Sequence, residues 1–208
     1  MKTLLITARI FSSVFRPSYF PTVGMLLLVL FFPYLNQFPL SFKLWLLSVT
    51  YIFTLCLPAL GIFIYRRLHG WSRSELRKQH KRIVPYTISI CCYICLMHIL
   101  HASHMPHFIT AIISISLLIQ CSCIIINVWW KVSLHAAGSG GAIGAIVGYS
   151  DIYTPLFGFN PLRWLSLAIL VSGCVMTSRM ILRQHTLAQV LGGTLIGIAC
   201  GIVGTLLM

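Results

Sequence analysis

The sequence predicts an all-α integral membrane protein, a polytopic transmembrane helix bundle of about six to seven spans. Hydrophobic residues make up 58% of the 208 residues, and the mean hydropathy is +0.93. Only 8% of the residues are charged, whereas a soluble domain carries roughly 25%. Several apolar runs also reach the roughly 20 residues that a helix needs to cross a bilayer. Too few polar residues remain for a separate soluble module.

The apolar runs predict seven spans in a single membrane domain, residues 21–208. Turn residues and charges separate them, and we expect them at about residues 21–40, 43–65, 85–101, 107–130, 135–150, 163–177 and 187–208. Residues 1–20 alternate cations with apolar residues, which favours an interfacial amphipathic helix. The strongly charged stretch at residues 66–82 is too polar for lipid and is expected to form a loop in solvent.

The order of the spans places three basic, histidine-containing segments on one face of the membrane. Two predicted spans separate the loop at residues 66–82 from Lys131–His135, and two more separate that segment from Ser178–His185. An even number of crossings returns the chain to the same side. A single site can therefore be assembled from all three segments.

The charge balance favours an anionic partner. The formal net charge is +13, and Glu75 and Asp151 are the only acidic residues. Such a balance suits lipid head groups or phosphate substrates, and the shortage of carboxylates argues against a magnesium or calcium site made of protein ligands. No basic surface interleaved with aromatic residues is visible, so nucleic acid is not an expected partner. The eight cysteines lie in apolar segments and are expected to be small core residues.

Two of the basic segments combine a cation, a serine and a histidine at the edge of an apolar run. These residues are Lys131, Ser133 and His135 in one segment, and Ser178, Arg179 and His185 in the other. An arginine beside a histidine is costly near lipid, which indicates a function. Two histidines among fixed cations suit phosphoryl transfer, because one can attack phosphorus, the other can protonate the leaving oxygen, and the cations can hold the phosphate.

The two segments resemble signatures of the type 2 phosphatidic acid phosphatase family, the membrane relatives of the vanadium haloperoxidases. That family has the signatures Lys-x6-Arg-Pro, Pro-Ser-Gly-His and Ser-Arg-x5-His-x3-Asp. The third matches best, because Ser178, Arg179 and His185 stand at the family spacing. The second is partial, with Ser133 and His135 in place and the proline and glycine replaced.

The first signature is the weakest of the three matches. Residues 77–85 supply cations and a proline, but neither the spacing nor the Arg-Pro pair. The resemblance extends over residues 77–192 and implies a phosphatase-like core from about residue 77 to residue 208. It implies a lipid phosphatase of the bacterial cytoplasmic membrane that acts on a lipid phosphate. The expected partners are this substrate and the surrounding membrane lipids, and no metal or other cofactor is expected.

The resemblance also implies a role for each matched residue. His185 would be the nucleophile that forms a phosphohistidine, and His135 would protonate the leaving group and then activate water. Arg179 would bind the phosphate bidentately. Further phosphate contacts would come from Lys78, Arg82, Ser133 and Ser178. Lys131 is outside the family pattern, but it lies four residues before His135 and is added as a further candidate phosphate ligand.

Gln189 stands where the third signature has aspartate. An aspartate one helical turn after His185 would accept its ring N–H, which fixes the tautomer and stabilises the imidazolium. The glutamine carbonyl can accept the same hydrogen bond but brings no charge. We therefore expect Gln189 to orient His185, and we expect catalysis to be weaker than with a carboxylate.

Two other classes stay open from the residues alone. A degenerate site would make the chain a non-catalytic protein that binds lipid phosphates. A series of histidines would make it a metal or haem protein, although a spacing of three carries them around a helix; these are His98, His101, His104 and His107. The glycine run at residues 138–141 is expected to allow close helix packing, because it lacks the lysine-serine ending of a phosphate loop.

The sequence leaves the substrate, the sidedness and the oligomeric state open. Candidate substrates are phosphatidic acid, phosphatidylglycerol phosphate, undecaprenyl diphosphate and a lipid A phosphate. With seven spans, 13 of the 15 Lys and Arg residues lie on the face that carries the motifs, and the positive-inside rule puts that face in the cytoplasm. The family resemblance implies the extracytoplasmic face instead.

Overall fold

The computed structural model describes the backbone of residues 2–70, 83–157 and 160–206 and the side chains of residues 3–70, 83–150 and 160–206. Within these ranges the chain is helical and contains no strand. The α-helices are α1 (Lys2–Val14), α2 (Tyr19–Phe31), α3 (Leu40–Tyr51), α4 (Leu57–His69), α5 (Ile83–Ala102), α6 (His107–Ile126), α7 (Leu134–Phe157), α8 (Pro161–Ile181) and α9 (Leu187–Leu206). The predicted all-α membrane bundle is confirmed.

Five helical stretches of the described chain are long and apolar enough to cross a membrane: Leu40–His69, α5, α6, α8 and α9. The pair α1 and α2 passes the same test together, but it is bent by 68° and makes a sixth only as one broken span. Helix α7 has 24 residues, which corresponds to about 36 Å at 1.5 Å per residue and is also enough to span.

The first predicted span, residues 21–40, is wrong in its length. Helix α2 ends at Phe31 after 13 residues, or about 20 Å. Pro33 cannot continue the helix, and it forces the preceding Phe32 into an extended conformation with φ −93° and ψ 111°. A short 3-10 helix, Pro33–Gln37, then carries the chain to the start of α3.

The second predicted span is longer than expected, because Leu40–His69 is one helical stretch of 30 residues. It stays continuous past Pro58 by means of a π-helical segment, Ile52–Cys56, in which the Leu57 N–H bonds to the carbonyl of Ile52. A π segment widens the turn, which accommodates the proline that follows it.

The remaining helices agree with the predicted spans apart from their ends. Helix α6 stops at Ile126 rather than near residue 130. Helix α7 continues to Phe157, past the turn that was predicted to begin at Asp151. Pro155, one of the residues that predicted the turn, lies inside α7, and the helix ends only before Gly158 and Pro161 in the sequence.

Glycines let α7 and α9 pack more extensively than any other helix pair in the described chain. A Cβ atom added at Gly197 would lie 2.0 Å from the carbonyl oxygen of Ala137, and one at Gly144 would lie 2.2 Å from that of Ile198. Backbones can approach this closely only where no side chain intervenes. The glycine run at residues 138–141 lies inside α7, so the expectation of helix packing is confirmed.

Two clusters of buried apolar side chains hold the bundle together. The larger joins α2, α3, α5 and α6 and includes Met25, Leu46, Tyr93 and Ile109. The smaller joins α6 to the start of α7. Other large apolar side chains point outward, such as Leu195 at 66% exposure. Outward apolar side chains are expected of helices that contact lipid rather than water.

Helix α1 packs against α8. Its Ala8 and Ser12 side chains are buried, whereas most of its other described side chains are exposed. Pro17 follows the helix, and the chain then turns into α2. The segment predicted to lie at the interface therefore also contacts the helix that ends in the third motif.

Candidate active site

The third motif begins at the end of α8, which a Schellman motif terminates. The N–H of Gln184 bonds to the carbonyl of Arg179 over 3.2 Å, and that of Arg183 bonds to the carbonyl of Met180 over 2.9 Å. Arg183 occupies the left-handed position with φ 51°, where glycine is usual. This turn reverses the chain so that His185 follows the helix end within one short bend.

A capping arrangement at the start of α9 holds His185. The Oε1 atom of Gln189 accepts a hydrogen bond from the Thr186 N–H over 3.2 Å and lies 3.2 Å from Nδ1 of His185. A glutamine that reaches back from the third helical residue to the N-cap N–H is half of a capping box. The contact expected between Gln189 and His185 is therefore present.

The same contact assigns the tautomer of His185. The Gln189 atom in contact must be the carbonyl oxygen, because it also accepts from the Thr186 N–H. A carbonyl oxygen cannot donate, so Nδ1 of His185 carries the proton in this hydrogen bond. In the neutral ring the lone pair then belongs to Nε2.

The second motif is fastened to the third by two contacts. Lys131 donates from Nζ to the carbonyl of Gln184 over 3.0 Å, and the Ser133 N–H donates to the carbonyl of Gln189 over 3.3 Å. Ser133 also caps α7, because its Oγ accepts the Ala136 N–H over 3.4 Å. These bonds fix the start of α7, which carries His135, relative to the start of α9.

Helix α1 contacts both motifs through Ser12. Arg179, which is 8% exposed, donates from Nη1 to Ser12 Oγ over 2.8 Å. The backbone of the same serine, Arg179 and His185 all lie close enough to the ring of His135 to act on it electrostatically. The two histidines and the arginine therefore form one group.

A cavity of about 880 Å³ opens beside this group. The third and second motifs contribute Arg179, Gln184, Lys131 and His135 to its wall. Residues of α5 and α6 continue the wall into the bundle, where Tyr93 and Gln120 lie. The volume exceeds that of a phosphate group and leaves room for part of a larger substrate.

The predicted site residues fall into three groups. His135, Arg179 and Lys131 line the cavity. His185 is 8% exposed and lies behind the wall next to Gln184. Ser133 and Ser178 are buried away from it, and Ser178 donates to the carbonyls of Cys174 and Val175. Lys78 and Arg82 lie outside the described residues.

Sequence reasoning missed the contribution of α1. Arg9, Ser12, Ser13 and Arg16 all line the cavity. Their spacing of three, four and seven residues places them along one face of a helix, and that polar stripe was visible in an otherwise apolar segment. Contact with the motifs was not visible, because about 120 residues separate the stripe from Lys131 in the sequence.

The cavity wall is cationic. Arg9, Arg16, Lys131 and Arg179 line it, and no acidic side chain is among its described lining residues. Several cations around one cavity favour an anionic ligand. Planar guanidinium groups in addition match the geometry of phosphate oxygens.

The histidine series does not form a metal site in the described part of the chain. No group of three or more His, Cys, Asp or Glu residues there could hold a metal ion. His98 and His101 belong to α5, His107 begins α6, and His104 takes the left-handed position, φ 51°, of the Schellman turn between them. The bend between the two helices thus separates these histidines.

Fold and site together define a helical integral membrane protein with a cationic site that contains two histidines. Residues 127–208 match the model of the PAP2 superfamily, a phosphatase-related superfamily. The matched stretch holds the second and third motifs, so the family resemblance recognised from those motifs is confirmed there. Searches of the curated proteins and of the solved structures found no match.

Proposed function

We propose that the protein is a lipid phosphatase that hydrolyses a lipid phosphate or diphosphate through a phosphohistidine intermediate, without a metal ion. The observation that carries this proposal is the grouping of His135, Arg179 and His185 beside one cationic cavity. Burying an arginine and two histidines in a membrane bundle is costly, which favours a functional role for them.

In the first step, the Nε2 lone pair of His185 attacks phosphorus. A P–N bond forms, and the P–O bond to the lipid breaks as its electron pair moves to the leaving oxygen. His135, protonated when the phosphate anion is bound beside it, gives that oxygen its proton as a general acid. Arg179 and Lys131 stabilise the charge on the remaining phosphoryl oxygens.

In the second step, water attacks the phosphohistidine. His135, which lost its proton in the first step, now accepts one from the water as the new P–O bond forms. The P–N bond breaks, its electron pair returns to Nε2, and inorganic phosphate leaves. The proton stays on Nδ1 and is donated to the Gln189 oxygen throughout, which keeps the ring in the attacking orientation.

The membrane location supports a lipid as the rest of the substrate. The site lies among helices with apolar outer faces, and the cavity continues beyond the cationic residues into the bundle. A phosphate held by Arg179 would leave its attached alcohol directed into that space. Phosphatidic acid, phosphatidylglycerol phosphate, undecaprenyl diphosphate and a lipid A phosphate are the candidates to compare.

Phosphate release by the purified protein in detergent tests the proposal. Wild type should release phosphate from at least one of these lipids, with and without a chelator. His185→Ala should lower the rate at least about a thousandfold, because it removes the nucleophile. His98→Ala is the control, since that histidine is exposed on α5 and does not line the cavity.

His135→Ala should lower the rate most for poor leaving groups, because its proton matters most there. The comparison of an aryl phosphate with an alkyl lipid phosphate measures this difference. Retention of the wild-type rate by His185→Ala would contradict the mechanism. Phosphate binding without any release from these lipids would indicate a non-catalytic lipid-phosphate-binding protein instead.

A further inference from the structure

The N-terminal segment supplies a set of cations that neither the second nor the third motif contains. Arg9 in α1 and Arg16 just after it line the same cavity as Lys131 and Arg179. Arg16 also acts electrostatically on His135. The segment is held in place by the hydrogen bond from Arg179 to Ser12 and by packing of α1 on α8.

We propose that Arg9 and Arg16 are substrate-binding residues that contact the phosphate oxygens and complete the cationic wall. This inference rests on the proposed function, because it assigns the phosphate ligands of that same site. The ligand chemistry is a phosphate or diphosphate group, to which each guanidinium donates two parallel hydrogen bonds.

The geometry of the segment supports a binding role over simple anchoring in head groups. Cations that only anchor a helix to head groups extend away from the protein, whereas Arg9 and Arg16 line a cavity that also holds a buried arginine and a histidine. Two serines of the same face, Ser12 and Ser13, line the cavity between them. The polar face of α1 is thus directed at the candidate active site.

Charge supports the same conclusion. Like charges in one wall repel each other, and none of the described lining residues is a carboxylate that could offset them. Arg16 has a neutral contact, from Nη2 to Ser13 Oγ at 3.5 Å. A phosphate dianion between the guanidinium groups would turn the repulsion into attraction.

Because the first motif matches its signature poorly, Arg9 and Arg16 can supply the two cations that this signature would otherwise provide. Residues 77–85 lack the spacing that would position two cations as the first signature does. Arg9 belongs to α1, and Arg16 follows the end of that helix at Val14. Both side chains line the cavity, so the N-terminal segment can bring both to one ligand there.

Equilibrium binding of radiolabelled inorganic phosphate to the purified protein tests the inference independently of catalysis. Arg16→Gln should raise the dissociation constant about tenfold, since the loss of a charge-assisted hydrogen bond corresponds to that factor. Arg9→Gln should raise it severalfold, and the double variant should be weaker than either. If the protein hydrolyses lipid phosphates, these variants should have a higher KM than wild type, and their kcat should change less than their KM.

Arg183→Asn is the matched control. It removes a cation from the same loop region as the third motif, but Arg183 is exposed and does not line the cavity, and asparagine tolerates its left-handed backbone. Phosphate binding should stay within twofold of wild type. If Arg9→Gln and Arg16→Gln both bind phosphate as Arg183→Asn does, the inference is overturned.

Arg16→Lys provides a second test where Arg16→Gln does not yield folded protein. The ammonium keeps the charge but loses the fork, so phosphate binding should weaken severalfold. If Arg16→Lys bound phosphate as tightly as wild type, Arg16 would not make a bidentate contact with the phosphate. If wild type hydrolyses no lipid phosphate but Arg16→Gln still loses phosphate binding and Arg183→Asn does not, the proposed function fails and the inference stands.

Discussion

Gln189 connects helix capping with the orientation of His185, the proposed nucleophile. Its Oε1 satisfies the N–H of Thr186 at the start of α9 and also receives the His185 ring. The sequence predicts the contact between Gln189 and His185, because a spacing of four residues is about one helical turn. The capping role was equally readable, since Thr186-Leu187-Ala188-Gln189 has the T-x-x-Q pattern of a capping box.

Gln189→Glu tests the orienting role with a side chain of equal length. The carboxylate should preserve both hydrogen bonds and should raise the pKa of the His185 imidazole, because a negative charge stabilises the imidazolium. The protonated ring is not nucleophilic, so the acid limb of the pH–rate profile should move to higher pH. The maximal rate should hold or increase, and a pH series of lipid phosphate hydrolysis measures both effects.

Gln189→Leu is the complementary change. It should lower the rate about a hundredfold, because an unfixed ring presents the wrong nitrogen or the wrong angle to phosphorus. It should also cost roughly 1 kcal/mol of stability through the lost cap. If both variants matched wild type in rate and pH dependence, Gln189 would not orient the nucleophile, and the third motif would end at His185.

Other features of the site could not be predicted from local sequence. Ser133, which the sequence predicts as a phosphate contact, is buried, and its hydroxyl accepts the Ala136 N–H as a helix cap. The role of Ser12 depends on a contact with Arg179, 167 positions away in the chain. Such a contact arises from the packing of α1 on α8 and leaves no local pattern.

At the scale of helices, the glycines of α7 and α9 determine how the two motifs meet. His135 lies near the start of α7, and Gln189 near the start of α9. Because the two backbones touch, the Ser133 N–H reaches the carbonyl of Gln189. The sequence indicated close packing, but the choice of partner helix required the folded structure.

Gly197→Ala should separate these helices. Its Cβ would lie 2.0 Å from the carbonyl oxygen of Ala137, and that backbone atom cannot move aside as a flexible side chain can. We expect a loss of about 1–3 kcal/mol in stability and a fall in rate of up to about a hundredfold, because a shift of 1 Å between catalytic groups can have that effect. Thermal unfolding in detergent and phosphate release measure the two.

Gly173→Ala is the matched control for this substitution. Gly173 lies in α8, and no atom outside its own helix lies within 4 Å of an added Cβ. Alanine favours a helix over glycine by roughly 0.5–1 kcal/mol, so stability should hold or rise and the rate should not change. Equal losses in both variants would show that the contact between α7 and α9 does not position the site.

Breaks in the helices were harder to predict than the helices themselves. The apolar run that continues beyond Phe32 concealed the end of α2, although Pro33 was visible. Pro58 sits in a similar run, yet there the helix continues through a π segment. The two prolines differ in what packs around them, which periodicity does not report.

At the scale of the whole molecule, the cations are concentrated at one end of the bundle. Lys43 and Arg163 belong to the opposite end, near the starts of α3 and α8. Arg9, Arg16, Lys131 and Arg179 line the cavity, and under the proposed function they bind the substrate rather than set the orientation in the membrane. Without those four residues, Arg66, Arg67 and Arg183 remain at the site end. Within the described residues, the site end is therefore still more basic than the opposite end, which has Lys43 and Arg163.

This residual charge predicts that the site end faces the cytoplasm, since basic residues near the ends of spans are retained there. Two single-cysteine variants in a cysteine-free background test it: Arg183→Cys at the site end and Ser103→Cys at the opposite end of α5, both at exposed positions. A membrane-impermeant maleimide should label Ser103→Cys in intact cells and Arg183→Cys only after permeabilisation.

The reverse pattern would place the site outside the cytoplasm, as the family resemblance implies, and would show that the cations serve phosphate binding rather than orientation. Labelling of both positions from one side would contradict the bundle topology, because three spans, α6, α7 and α8, separate the two positions and should place them on opposite sides.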